Sequence, residues 1–590
     1  MSFTITQGLT AQQRVFQTVA GNIANVNSEG YTEKTTPLAT DSFGTRGSGV
    51  KAGAEQRLED NIRTEDVREK TIGVSYLESI QTFYDEIGRQ MGKPGDKGTL
   101  GYNLTDIKTA LSTLETSPED SGAQSNALAK LNAFAGAVNK TANFFQDQRL
   151  TAEDGLVDAV KRVNDILQSL HKLNGDISLA HGRGEAYGNM MDKQDGLLKE
   201  LSQYVDAKLL RRENKSIDIT TLQGNALLLR SGPRALQFSR ATSIGPTDNT
   251  TNLGRITIEG DPVTDISSGR IGAFLKARDE LFPKLQQELD QFTLQVNEHF
   301  NKIHNRGTGF PPPNTLTGAT QFVDPAAETI EMTGTVRLAI VDQATGRHAF
   351  APITLDYTAG PININAVAAD INAQLNPGGG LPSRGTATVT ADNRLEITAA
   401  NATHGIALAS ETDPEAVDTT SGRGFSHHFG FNNLFSVNGE VIGAAQAFEV
   451  NPEISGNAAR IARGHLSLQD PADNPYAIRV GSKENITDML AHFDDRLGFA
   501  AAGSLTQQNT SATDYVNSIY HTVAVDGKNN QTQLDIDSTI LADTEKTLAD
   551  RTGVNMQRQF ELMLESQKIF SALSRLLQAE DQMIKQLTNI

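Results

Sequence analysis

Both ends of this chain are apolar stripes at helical spacing. Ile5, Leu9, Gln12, Phe16, Val19, Ile23 and Val26 follow one another at intervals of four and three, the face a helix presents to a partner helix, and only Gln12 in it is polar. At the other end Leu562, Ile569, Leu576, Met583 and Ile590 recur every seven residues, interleaved with Ser566, Leu573, Glu580 and Leu587, with Phe570, Leu577 and Ile584 on the flank. Termini ordinarily fray. Each large apolar side chain buried contributes about 1.5–3 kcal/mol, yet a single helix has nothing of its own to bury against. Pairing the two ends, and packing that pair against further copies, is the simplest arrangement that covers them. The assembly residues expected on this reading are Ile5, Leu9, Phe16, Val19, Ile23, Val26, Leu562, Ile569, Leu573, Leu576, Met583 and Leu587.

Between these ends the chain reads as several units, because 590 residues exceed what one core can serve. Asn27-Ser28-Glu29-Gly30 is expected to end the first helix, with Gly30 as a left-handed cap. From Tyr31 to about Val67 periodicity is lost and Gly44, Gly47, Gly49 and Gly53 accumulate, which reads as a flexible linker or an extended arm. Helical spacing resumes at Leu77 to Met91 and at Leu100 to Leu114, where Ser117-Pro118 stops it. Leu128 to Ile177 marks one very long helix or a pair, broken by His181-Gly182-Arg183-Gly184, and Met191 to Val205 another. Short strands are expected at 217–219, 227–229 and 256–258, then a long helix from Ile271 to Ile303, kinked or restarted at Pro283.

Pro311-Pro312-Pro313 opens a region of different character. Val336, Leu338 and Ile340 alternate, as do Ile353, Leu355 and Tyr357, around a turn at Asp342–Gly346; a helix is expected at Asn365–Leu375 and a second hairpin within Thr386–Ala399. Ile486–Leu497, Tyr515–Val523 and Leu534–Leu548 read as helices returning to the body. The expected fold is multidomain: an α-helical terminal coiled coil and a long-helix bundle, with an inserted β-rich outer domain. Its parts are 1–60 with 551–590 (terminal helices and connecting arm), 61–210 with 270–310 and 505–550 (helical bundle), and 211–269 with 311–504 (β-rich outer region, carrying a strand-helix-strand-strand insert at about 315–435).

Composition narrows function by exclusion. With 52 basic against 71 acidic residues, a net of -19, a phosphate backbone would be repelled, and no basic block offsets this. The absence of cysteine removes disulfides, thiolate zinc sites and a cysteine nucleophile. No leader pattern opens the chain and no run approaches ~18 apolar residues, so neither Sec export nor a membrane span is expected. By itself that reads as cytoplasmic. Low aromatic content, 6%, and no tryptophan suit an extended, surface-rich molecule.

Candidate chemical sites are sparse, and no cofactor or metal is expected. His427-His428 would point to opposite faces of a strand and lack a third ligand. His299 and His304, five apart on a helix, do not share a face. Gly378-Gly379-Gly380 lacks a following Lys-Ser or Lys-Thr, and Gly182-Arg183-Gly184 lacks the third glycine of a dinucleotide loop. No Gly-x-Ser-x-Gly elbow appears. Glu484, Asp488, Asp494 and Asp495 could face calcium but lack the ordered twelve-residue loop, so they read as a solvated acidic face.

The run Asn22 to Thr32 (NIANVNSEGYT), the Gly47-Ser48-Gly49-Val50 after it, and Thr552-Gly553-Val554-Asn555 before the last helix resemble the bacterial flagellar rod, hook and hook-associated protein family. Gly269 to Arg278, together with VNDILQSLHKLNGDI through LLKELSQYVDA, is similar to its hook–filament junction members. The resemblance covers roughly residues 1–310 and 435–590, and it departs at Met556-Gln557-Arg558-Gln559, where relatives usually carry an acidic stretch. It implies a non-enzymatic structural protein, exported without cleavage through the flagellar export apparatus and working outside the cell. The implied partners are further copies in a ring, hook protein, hook-associated protein 3 or another filament-side junction protein, and an export chaperone on the C-terminal helix, with no nucleic acid and no membrane insertion. The arm would then pack on neighbouring subunits. Alternatives are hook protein itself, which would not carry the helical block from Leu156 through Val205, a needle-tip or translocator protein, or an enzyme seated in the outer insert.

Overall fold

A computed structural model describes residues 2–43, 46–378 and 382–588. The first helix, α1, runs Ser2–Ala24 and stops short of Val26. The Asn25 side chain donates to the Gly21 carbonyl at 2.9 Å, and Ser28 N bonds Asn25 O, so local asparagine bonding turns the chain before the apolar stripe is exhausted. Gly30 has φ +73° but lies beyond the helix end, in the turn leading to the arm rather than at the cap.

Residues 31–60 form neither a linker nor a featureless arm. Strands 38–43 and 46–52 make an antiparallel hairpin with a bulge at Asp41/Ser42, and Lys34–Thr35 pairs with Gln56–Arg57. Gly44 lies outside the described residues. Gly49 sits where the hairpin crosses α1 beside Gln7, at φ +153°, a conformation that side-chain-bearing residues rarely adopt. Helix α2, Asn61–Met91, begins earlier than the apolar spacing showed because Asp60 caps it, accepting from Arg63 N at 3.1 Å.

The body is built on long helices. After α3, Leu100–Thr116, comes α4, a single helix of 63 residues from Ser121 to Arg183, closed by Gly184 in the left-handed region at φ +69°. Helix α5 spans Gly188–Ser202, starting before Met191 and ending before Val205. The expected kink near Pro283 is a π-helical turn at Ala277–Leu281 between α6, Gly269–Lys276, and α7, Phe282–His304. A proline early in α7 cannot donate to the preceding turn, and the widened turn absorbs that loss.

In the insert, strand 335–342 pairs with 353–356 on one side and along its whole length with 404–410 on the other, a strand the hairpin pattern did not show. Strands 315–317, 395–399 and 385–389 form a second sheet, and helix α8, Ile364–Leu375, packs on it. Two short helices follow, α9 at Phe425–Phe429 and α10 at Pro452–Ser455. Helix α11 covers only Glu484–Ala491, and Leu497 belongs instead to a strand pairing with 508–510. Where two helices were expected, α12 is one, Ala512–Thr552. Its polar middle is bonded to α2: Asn530 Nδ2 reaches Leu77 O at 3.0 Å and Gln81 Oε1 at 2.9 Å, while buried Gly527 lets Tyr84 approach closely. The last helix, α13, spans Met556–Thr588.

Three main cores result. One joins α3, α7, the ends of α2 and α12, and the first half of α4 to segment 434–499, with Phe134 edge-on to Phe292 (6.1 Å) and Phe448 (5.7 Å). A second covers α4 from Leu156 onward with the strands of 208–262. The third lies wholly within 316–431. Residues 211–269 and 311–504 therefore do not share one outer core: the former cap the apolar face of α4 beyond the reach of the bundle, and 434–499 pack with the helices.

Candidate functional site

Helices α1 and α13 pack antiparallel. Gly8 lies against Leu573, Gln12 Nε2 donates to Ser566 Oγ at 2.6 Å, and Asn22 Nδ2 donates to Gln559 Oε1 at 3.0 Å. The seam therefore follows Gln559, Ser566 and Leu573, the interleaved series, because small and polar residues let the two backbones come close. The more apolar series turns away from α1. Val19 is buried, and Ile5, Leu9, Ile23, Val26, Leu562 and Leu573 are half-buried. Phe16, Ile569, Leu576 (56% exposed), Met583 and Leu587 (72%) face outward with Phe560, Leu564, Phe570 and Ile584. Val26 sits in the turn after α1, and Ile590 lies outside the described residues. Of the twelve expected residues, seven are thus buried or half-buried and five are exposed.

The pair is seated on the body through a polar joint that hydrophobic spacing could not reveal. Asn22 has no exposed surface: besides Gln559 it donates to Lys34 O (2.8 Å), and its Oδ1 accepts from Lys34 N (3.0 Å) and Tyr31 OH (3.1 Å). Its place in the NIANVN run was the available signal. Beyond it, Asp192 on α5 accepts from Thr32 Oγ1 at 2.7 Å and Arg57 Nη1 at 3.2 Å and pairs with Lys34. Burial pushes the Tyr31 phenol up to about 12, with Glu55 and Asp192 adding to it. Burial likewise pulls the Lys34 ammonium down, against the opposing pull of Asp192. An open cleft of about 1220 Å³ lies at this joint, lined by Asn25–Thr32 and Gly553–Asn555 among others.

The remaining sequence candidates have structural partners. His427 and His428 lie on α9 and not on a strand. His428 Nδ1 is 3.2 Å from Ser421 Oγ and 3.7 Å from Asp418 Oδ2, while Ser421 itself donates to that carboxylate at 2.7 Å. Hydroxyl and carboxylate address the same ring nitrogen, so this trio does not have the geometry of a proton relay. His304 is fully buried: Nδ1 meets Asn432 O at 2.6 Å, Nε2 accepts from Ala462 N at 2.8 Å, and burial holds the ring down at about 4. Asp494 pairs with Lys108, Asp495 with His492 at 2.8 Å and Asp488 with His465 at 3.4 Å. Among the described residues no group of three or more acidic or histidine side chains could hold a metal ion. Gly379 and Gly380 lie outside the described residues.

Known proteins show the same architecture. Residues 86–320 match the family described as "Flagellar hook-associated protein FlgK helical domain". Flagellar hook-associated protein 1 of Salmonella typhimurium is 23% identical over 604 residues, covering 99% of this chain and 98% of that protein. The chain is similar to flagellar hook-associated protein 1 along nearly its whole length. The Escherichia coli member is 26% identical over 313 residues, covering 51% of this chain and 56% of its own length. A solved structure, "The structure of the flagellar hook junction protein FlgK from Burkholderia pseudomallei", shares the fold at TM-score 0.50 and 12% identity, over 82% of this chain and 99% of that one. A fold of long helices with β-rich regions is thus shared with that solved structure. Among the described residues no helix is long and apolar enough to cross a membrane.

Proposed function

We propose that this chain is a structural protein of the bacterial flagellum that self-assembles through its paired terminal helices into the junction connecting hook to filament. The observation that carries the reading is the outward apolar face of α13, from Leu564 to Leu587, on a helix pair made where the two ends of the chain meet. An exposed stripe of this length is costly unless other copies cover it. End-to-end similarity to hook-associated protein 1 favours this reading over hook protein or a needle-tip protein. On this reading the partners are further copies of the chain, hook protein on one side and hook-associated protein 3 or another filament-side protein on the other. The same apolar stripe is the surface an export chaperone would cover before passage through the flagellar export apparatus, and the role is mechanical, not catalytic. Deleting the gene and imaging the cells tests it: hooks without filaments, with flagellin accumulating in the medium, is the expected result, and normal filaments would overturn it.

A further inference from the structure

We propose that Asp192 is a positioning residue that fixes the paired terminal helices at one orientation on the helical body. The inference rests on the assembly role proposed above. Three donors from the arm converge on its carboxylate: the Thr32 hydroxyl, the Lys34 ammonium and the Arg57 guanidinium. The Asp192 side chain is about nine-tenths buried at this meeting point, at 10% exposure. The arm is in turn bound to α1, because Asn22 brackets the Lys34 backbone and Thr18 Oγ1 lies 2.7 Å from Thr36 Oγ1 and 3.4 Å from Glu55. At the start of α5, a Cβ on Gly188 would stand 3.2 Å from Lys34 Cε and 3.3 Å from Glu55 Oε1, so glycine lets the arm lie close against this helix. Glu33 N also bonds Thr552 O, on the last residue of α12, at 2.7 Å, and Arg57 pairs with Asp195 of α5 at 2.7 Å, so Asp192 is the carboxylate on which the three donors meet rather than the sole anchor of the arm.

The opposite face of α5 belongs to other work. Met191, Leu198 and Leu201 pack with α4, so Asp192 anchors the arm without filling a body core. Every subunit of a ring must present its terminal pair at the same angle to its body. Loss of Asp192 leaves the body folded and loosens that angle, with Arg57–Asp195 and Glu33–Thr552 still in place.

The test uses the full-length chain as Asp192→Ala, Asp192→Asn and Asp192→Glu. Lys199→Ala serves as the control, because it removes a surface pair of α5 with Glu545 and leaves the arm untouched. Hydrogen exchange of residues 31–58 should rise about tenfold in the Ala and Asn variants, with 121–183 unchanged, and fall back in the Glu variant, since a lost charge-assisted bond frees a local unit. In a deletion strain the Ala and Asn variants should be secreted at the normal level yet give about tenfold fewer filaments per cell, with Asp192→Glu restoring them. Exchange in 31–58 matching the wild type, or rising equally across 121–183, overturns the positioning role, as does full filament growth by Asp192→Ala. Failure of the wild-type gene itself to restore filaments would instead overturn the assembly reading and leave the exchange measurement to judge Asp192.

Discussion

Glu288 of α7 has no exposed surface, and only one of its carboxylate oxygens is occupied: Oε1 accepts from Ser504 N at 2.7 Å while Oε2 has no partner among the described residues. Burial is the main cause that pushes its carboxyl up, to about 7, with Asp526 adding to the effect and Lys284 opposing it. The sign follows from proton binding. Between the ordinary carboxyl value of 4.5 and about 7 the folded chain holds a proton that the unfolded chain has lost, so stability falls as pH rises through that window and stays low above it. Glu288→Gln should remove this dependence and raise stability at pH 8 by up to ~3 kcal/mol. Denaturant unfolding at pH 5 and pH 8 checks it, and equal pH sensitivity in both proteins would refute it. Such a residue is invisible in sequence, because acidic residues are plentiful here and nothing in their spacing marks the one that is buried. Asn22 is a middle case: the run containing it stood out, but its bonds to Gln559, Lys34 and Tyr31 join segments that only the fold brings together.

At the scale of elements, helical periodicity gave α1, α3, α4, α7 and α13, because a repeating apolar face is written locally. It did not give the partner of each face. In α13 the spacing offers two interleaved series, and the seam with α1 runs through Gln559, Ser566 and Leu573, where Gly8 and a serine permit close approach. A polar stretch hides a helix for a related reason: Asn530 and Gly527 make α12 continuous by bonding and packing on a distant helix. The outward series yields a prediction about Leu576→Asp. Since Leu576 is 56% exposed, the substitution should leave the stability of the isolated chain within about 0.5 kcal/mol. In an assembly that covers this face, an unpaired carboxylate costs several kcal/mol in every copy. The expected outcome is a thermal midpoint close to that of the wild type, protein present in the medium and no filaments on the hooks. Lost secretion alone would implicate chaperone binding or export, and normal filaments would show that α13 does not assemble through this face.

For the whole molecule, the nested order of the cores separates what joins subunits from what projects. Residues 316–431 close on a core of their own, and the chain leaves and re-enters the body at nearly one place, where Asn432 Nδ2 bonds Gly307 O at 3.1 Å. The insert is not wholly independent. The back of its strands 335–342 and 404–410 contributes Ala339, Val341 and Ala407 to a small cluster with Leu466, Ala477 and Ile478 of the returning segment. Replacing 315–431 with a short Gly-Ser linker should therefore expose Leu466 and Ile478, at a cost of roughly 1.5–3 kcal/mol for each side chain uncovered. That loss falls on 464–480 and, through the pairs Arg423–Glu298 and Arg306–Glu415, on the C-terminal end of α7, and it leaves the polar joint at Asp192 and the α1–α13 pair in place, since their bonds do not draw on the insert. Filaments should stay attached in cells carrying the shortened chain, with faster hydrogen exchange confined to the segment around Leu466–Ile478 and the end of α7. If those cells shed flagellin as the deletion strain is expected to, the insert itself is part of the joint between hook and filament.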